Sequence, residues 1–277
     1  MTKVEDVINK CDTGLIKGLN LQIIAVINTI VPNLLVNFDD LDVDVSGDQI
    51  NPYLQAVAKQ SLRLAIKERG KQLVINSAYR TVAQQYLIRQ QFKRKLCGIT
   101  AAAHPGSSNH EGGLALDVED ADDWEQYFER HNWMRLGRDF DFPHYDYKFP
   151  AATRTDLRKI GVIAFQKLWN QFNPKDRIPE DGDYGPQTEA RLADSPAEGF
   201  RYLTIRTLGL TNPPMKGDDV KKVQAALLNA KIVKIDIQVT GIFDVATENA
   251  VKQFQEATKR LSVDGRVGST TLKALGL

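Results

Sequence analysis

The sequence predicts an α+β domain, a small antiparallel sheet flanked by helices, followed by small all-α helical repeats. Three observations carry this reading. Amphipathic helical patterns dominate the stretch before residue 95, short alternating strands follow them, and beyond Pro150 a recurring glycine turn divides a run of short helices. With 277 residues, 42% hydrophobic and 26% charged, the chain can hold one large domain plus a smaller one, or two to three small ones.

In chain order, the most apolar stretch is Leu19 to Phe38, which Gln22, Asn28, Pro32 and Asn33 interrupt, so it reads as short of a membrane span. It also makes a poor secretion signal, because Glu5 and Asp6 stand where positive charge is wanted, and no export route is visible. Residues 1–45 have no assigned role. "NPYLQAVAKQSLRLAIKERG" reads as a helix opening on an N-cap and a proline, with Leu54, Val57, Ala58, Leu62, Ala65 and Ile66 on one face and a stop at Gly70. "QLVINSAYRT" reads as a strand and turn, with Thr81 capping the next helix. Arg80 then stands beside a helix N-terminus, where positive potential gathers.

"LALDV" alternates, so Leu114, Leu116 and Val118 face one side of a strand and Ala115 and Asp117 the other. "PHYDYKF" alternates likewise, with His144 and Asp146 on one face and Tyr145, Tyr147 and Phe149 on the packing face. The α+β domain is expected over 46–150. Beyond it, "DGDYGPQT" (181–188), "TGIFDVAT" (240–247) and "DGRVGSTT" (264–271) share a glycine at the second place, an apolar residue at the fourth and threonine at the eighth. Each reads as a tight turn leading into a capped helix. A first repeat is expected over 151–206 and a C-terminal domain over 215–277, with 207–219 as linker.

The formal charge is +1, from 36 basic and 35 acidic residues, so no global field calls for nucleic acid or an anionic membrane, and neither is expected as a partner. Two cysteines, Cys11 and Cys97, are too few and too far apart to read as a disulfide framework.

The chemistry gathers in "SSNHEGGLALDV". His110 and Asp117 offer a nitrogen and an oxygen ligand, and the glycine pair between them lets the chain turn from the histidine into the strand that carries the aspartate. A third ligand is needed, and His104, His131 and His144 are the remaining histidines. Glu111 does not make H-E-x-x-H, because position 114 is leucine.

At these residues the chain resembles the zinc D-alanyl-D-alanine carboxypeptidase family, VanY and phage-endolysin type. The pattern S-x-H-x-x-G-x-A-x-D is matched by Ser108, His110, Gly113, Ala115 and Asp117. The closing E/D-x-x-H is matched by Asp141 and His144, and an upstream S-x-x-R by Ser77 and Arg80. The resemblance implies that His110, Asp117 and His144 bind zinc and that Asp141 is the catalytic acid/base. It also implies that Arg80 holds the substrate's carboxylate, with Ser77 and Ser108 in the substrate site. Many relatives carry glutamate at the place of Asp141 and a different aromatic at that of Tyr145, which bears on substrate fit and rate. The C-terminal segment resembles peptidoglycan-binding domain 1 at Val223, Gln224, Thr240, Gly241, Phe254, Gln255, Asp264, Gly265, Gly268 and Thr271.

Together these resemblances imply a zinc metallopeptidase of the cell wall or another extracytoplasmic site. It would hydrolyse a peptide bond next to D-alanine in peptidoglycan stem peptides and hold the wall through stem peptide or glycan. An L-alanyl-D-residue endopeptidase and a catalytically inactive wall-binding protein are the alternatives.

Overall fold

The computed structural model describes residues 2–135, 142–149, 153–200, 206–230, 237–258 and 261–275. The chain forms two compact units, Met1–Phe200 and Arg201–Leu277. The first is α+β and the second is helical.

The larger sheet of the first unit contains β2 (Val43–Asp44), β4 (Leu73–Ser77), β5 (Ala115–Val118), β6 (Trp133–Arg135) and β7 (His144–Tyr147), in the order β2-β4-β5-β7-β6. Every pairing is antiparallel except β2 with β4 at one edge. One face packs on α2 (Ala56–Arg69) and α4 (Ala121–Arg130), where Leu62, Ala65, Trp124 and Phe128 meet Ile75, Leu116, Val118, Tyr145 and Tyr147. Full burial of each large side chain here contributes about 1.5–3 kcal/mol, which fixes strand register. Leu116 therefore pairs with Tyr145 on the core side, and Asp117 pairs with His144 on the other.

Three expectations change in detail. The helix read from Asn51 begins at Ala56, because Tyr53–Gln55 form β3 against β1 (Leu35–Asn37). Asn51 does not cap it: its side-chain amide donates to the Tyr79 carbonyl at 3.1 Å and to Gln84 Oε1 at 2.7 Å. The helix does end at Gly70, in the left-handed region at φ 64°. Phe149, expected on the packing face, lies past the end of β7 and is 45% exposed. Thr81 caps α3 (Val82–Lys93) as expected, accepting from the Gln84 N–H at 3.1 Å.

The cysteine expectation is overturned. Cys11 and Cys97 form a disulfide across 86 residues of sequence. Sequence distance is no barrier, because the 3-10 turn Glu5–Lys10 packs on α3, where Gln91 donates to the Ile8 carbonyl at 3.0 Å. Next, α1 (Lys17–Ile30) buries Leu19, Ile23, Ile24 and Ile27 and packs along α5 (Leu157–Phe172). With the turn before it, Thr13–Ile30 is long and apolar enough to cross a membrane by length and composition, where the reading from Leu19 fell short. The unit closes with α6 (Pro186–Asp194).

The second unit packs α7 (Asp218–Asn229), α8 (Val245–Ala257) and α9 (Ser269–Ala274) around Val220, Val223, Leu227, Phe243, Val251, Phe254 and Val267. The stretch read as a linker is partly built into it: Leu208 is buried and exchanges two backbone hydrogen bonds with Val267.

The repeat has a single physical basis. Buried Gln166, Gln224 and Gln255 each accept from the N–H of the turn glycine at 2.9 Å, at Gly182, Gly241 and Gly265 respectively. Each also donates to a turn carbonyl and to the hydroxyl of the threonine at the eighth place. The three glycines have φ of 78°, 76° and 70°, a conformation that disfavours any side chain.

Candidate active site and metal centre

The site forms where two strands and one turn converge. Antiparallel pairing of β5 with β7 sets Asp117 opposite His144 on the sheet face away from the aromatic core. His110 arrives on a short 3-10 turn, His110–Gly112, which ends at Gly113. Gly113 has φ 63°, and a Cβ there would come within 3.0 Å of both Leu157 and Leu35, so the turn requires glycine.

The three side chains make a closed triangle. His110 Nε2 lies 3.2 Å from His144 Nδ1, His144 Nδ1 lies 2.9 Å from Asp117 Oδ1, and Asp117 Oδ1 lies 3.3 Å from His110 Nε2. Zinc bonds of about 2.0–2.1 Å in a tetrahedron separate neighbouring ligand atoms by about 3.3 Å, so the triangle fits one face of such a site and leaves a fourth corner. Each donor is also aimed by a second partner. His110 Nδ1–H donates to the Ala78 carbonyl at 2.7 Å, which turns the Nε2 lone pair to the centre. His144 Nε2–H donates to Asp146 Oδ1 at 3.0 Å, which leaves Nδ1 for the centre. Asp117 Oδ2 accepts from Arg80 Nη2 at 2.9 Å, freeing Oδ1. Such outer partners set the orientation and basicity of metal ligands.

Electrostatics follow from burial and proximity. Burial, helped by the Arg80 cation, holds His110 below its ordinary pKa. Burial opposes charge on Asp117, but His110, His144 and Arg80 overcome it and hold the carboxyl far below the usual range. Burial likewise opposes charge on His144, yet its hydrogen bonds to Asp117 and Asp146 push it up to about 9. Glu111 is pushed up to about 7 by burial, against the Gly106 and Ser108 N–H groups that donate to it.

Of the expected site residues, His110, Asp117 and His144 come together. Arg80 joins them, with Nε donating to Ser77 Oγ at 3.0 Å and Nη2 to Asp117, while Nη1 bonds to no described residue. Ser108 is buried beside His110, its N–H donating to Glu111 Oε2 at 3.0 Å. Asp141 lies outside the described residues. The other two histidines are elsewhere: His104 accepts from Arg89 at 3.0 Å and His131 meets Glu68 at 2.8 Å.

Four residues gain a place that sequence reasoning did not give them: Asp146, Glu111, Asn109 and Arg158. The strand alternation already put Asp146 on the face of His144. Arg158 carries no such signal, because it reaches Ser108 and Asn109 from a helix 49 residues beyond Asn109.

No curated protein and no solved structure matches the chain significantly. Family models do match, residues 49–155 to D-alanyl-D-alanine carboxypeptidase and residues 216–275 to the putative peptidoglycan binding domain. The first segment contains the whole His110, Asp117 and His144 triangle together with Arg80, and the family it matches is typically metal-dependent. Two segments of the chain are thus similar to known families, residues 49–155 to the D-alanyl-D-alanine carboxypeptidases and residues 216–275 to the putative peptidoglycan binding domains, and peptidoglycan is the partner that both matches indicate.

Proposed function

We propose that the protein is a zinc-dependent D-alanyl-D-alanine carboxypeptidase that trims stem peptides of peptidoglycan outside the cytoplasm. The single observation that carries this is the triangle of His110 Nε2, His144 Nδ1 and Asp117 Oδ1, with edges of 2.9 to 3.3 Å, inside a peptidase-family segment. Those atoms would hold the metal; when bound, zinc supplies a Lewis acid that polarises a carbonyl and acidifies water. Arg80 presents Nη1 to the substrate's terminal carboxylate while Ser77 and Asp117 hold its other two nitrogens still. Ser108 lines the pocket beside His110, and Asp141 moves the proton to the leaving amine. The disulfide supports an oxidising compartment, in keeping with an extracytoplasmic substrate. In this reading 46–150 is the peptidase domain and 215–277 a wall anchor, with 2–45 and 153–200 packed as supports within the first unit.

Metal analysis of the purified chain, combined with release of free D-alanine from a soluble pentapeptide, tests the proposal. One zinc per chain and D-alanine release are expected. Zinc with internal peptide fragments but no D-alanine would replace the carboxypeptidase by an endopeptidase, a reading favoured by the engagement of two Arg80 nitrogens within the protein. A chain that takes up no zinc would leave a wall-binding protein.

A further inference from the structure

The zinc reading leaves unexplained why a helix outside the matched peptidase segment reaches into its centre. Arg158 stands in the first turn of α5, three residues beyond the match that ends at residue 155. Its Nε donates to the Ser108 carbonyl at 2.8 Å and its Nη2 to Asn109 Oδ1 at 2.7 Å. Asn109 Nδ2 donates to Asp146 Oδ2 at 2.9 Å, and Asp146 Oδ1 accepts from His144 Nε2–H at 3.0 Å. Lys148 Nζ gives Asp146 Oδ2 a second donor at 3.0 Å.

We infer that Arg158 is a positioning residue for the metal centre, acting through Asn109 and Asp146 to fix which nitrogen His144 turns to the metal. The polarity of the chain is forced. A guanidinium only donates and a carboxylate only accepts, so the Asn109 amide between them has one workable orientation, oxygen to Arg158 and nitrogen to Asp146. Asp146, anchored on Oδ2, is left with Oδ1 to accept from His144, which directs Nδ1 at Asp117 and His110. Arg158 is itself well anchored. The helix that carries it packs on α1, and Gln166 ties it to the 181–188 turn. The first repeat copy thus serves as a scaffold for the peptidase site.

The inference rests on the proposed zinc site, and the test separates the two. Full-length chain is compared with Arg158→Met, Asn109→Ala and the double variant, using Co²⁺ as the probe in titrations against a competing chelator. Each single variant is expected to bind Co²⁺ about 10–100-fold more weakly, with an altered visible cobalt spectrum. The double variant should be no weaker than the worse single one, because both cut the same relay. Affinities within about twofold of the unmutated chain, or losses that add, would overturn the relay. Should Arg158→Met not fold, Asn109→Ala alone decides, since it keeps the Arg158 bond to Ser108. Should the unmutated chain bind no Co²⁺, the zinc reading fails. The relay is then judged on metal-free protein by NMR: the His144 Nε2–H signal should be protected from exchange in the unmutated chain and lost in Asn109→Ala, and its survival there would sink the proposal.

Discussion

His144 has two ring nitrogens, and Asp146 takes one so that the other meets Asp117 and His110. Under the proposed roles, replacing His110, Asp117 or His144 by alanine removes stoichiometric metal and activity together while the second unit keeps its fold. Metal analysis beside circular dichroism checks this, and full zinc in His144→Ala would contradict it. Asp141→Asn is expected to keep zinc and to lose about 10²–10⁴ in turnover, the usual contribution of a general acid/base. Single-turnover kinetics at saturating zinc measures that loss, and one below about tenfold would move the role to another carboxylate. Arg80→Ala carries two consequences, because the guanidinium also neutralises Asp117. Zinc affinity should fall, and at saturating zinc cleavage of pentapeptides with a free terminus should suffer much more than that of amidated ones. Equal losses on both substrates would favour internal cleavage.

At the scale of elements, the three turns share one buried glutamine lock. In the second unit, Gln224 accepts from Gly241 N–H at 2.9 Å and donates to the Ile242 carbonyl and Thr247 hydroxyl, both at 3.0 Å. A leucine of similar size would leave those groups buried without partners, at about 1–3 kcal/mol for each one left unsatisfied. Gln224→Leu and Gln255→Leu are therefore expected to lower the unfolding temperature of the second unit and to leave zinc content unchanged. Calorimetry of the full chain reads the first effect and metal analysis the second. The helices of the peptidase core behave more simply: α2 holds the sheet through Leu62, Ala65 and Ile66, where each apolar contact is replaceable by another of like volume.

Across the whole molecule, the Cys11–Cys97 disulfide ties the N-terminal turn to the segment after α3. Closing a loop of this length constrains the unfolded chain by about 4–5 kcal/mol in the chain-entropy model. Reduction, or the double change Cys11→Ser with Cys97→Ser, should lower stability in denaturant by up to that amount, and titrations with and without reductant measure it. An unchanged midpoint would show that the N-terminal segment holds without the bond. Joining a wall-binding unit to a hydrolase also raises the substrate concentration that the active site meets.

His110 and Asp117 are legible in the sequence as a candidate ligand pair, because their signals are local. His110, Gly113 and Asp117 lie within one turn and strand, and the alternation of β7 separates His144 and Asp146 from Tyr145 and Tyr147. The repeat was legible for the same reason, since a left-handed turn demands glycine wherever it recurs. Choosing His144 over His104 and His131 from the residues alone was not possible; that choice came with the resemblance, and the pairing of β5 with β7 places His144 there. Three further facts belong to the tertiary structure alone. Cys11 meets Cys97, Tyr53–Gln55 leave the helix to pair with β1, and Arg158 reaches Asn109 from the first turn of α5. Each depends on segments far apart in the chain being packed side by side, and no local periodicity records which distant partner a side chain will meet.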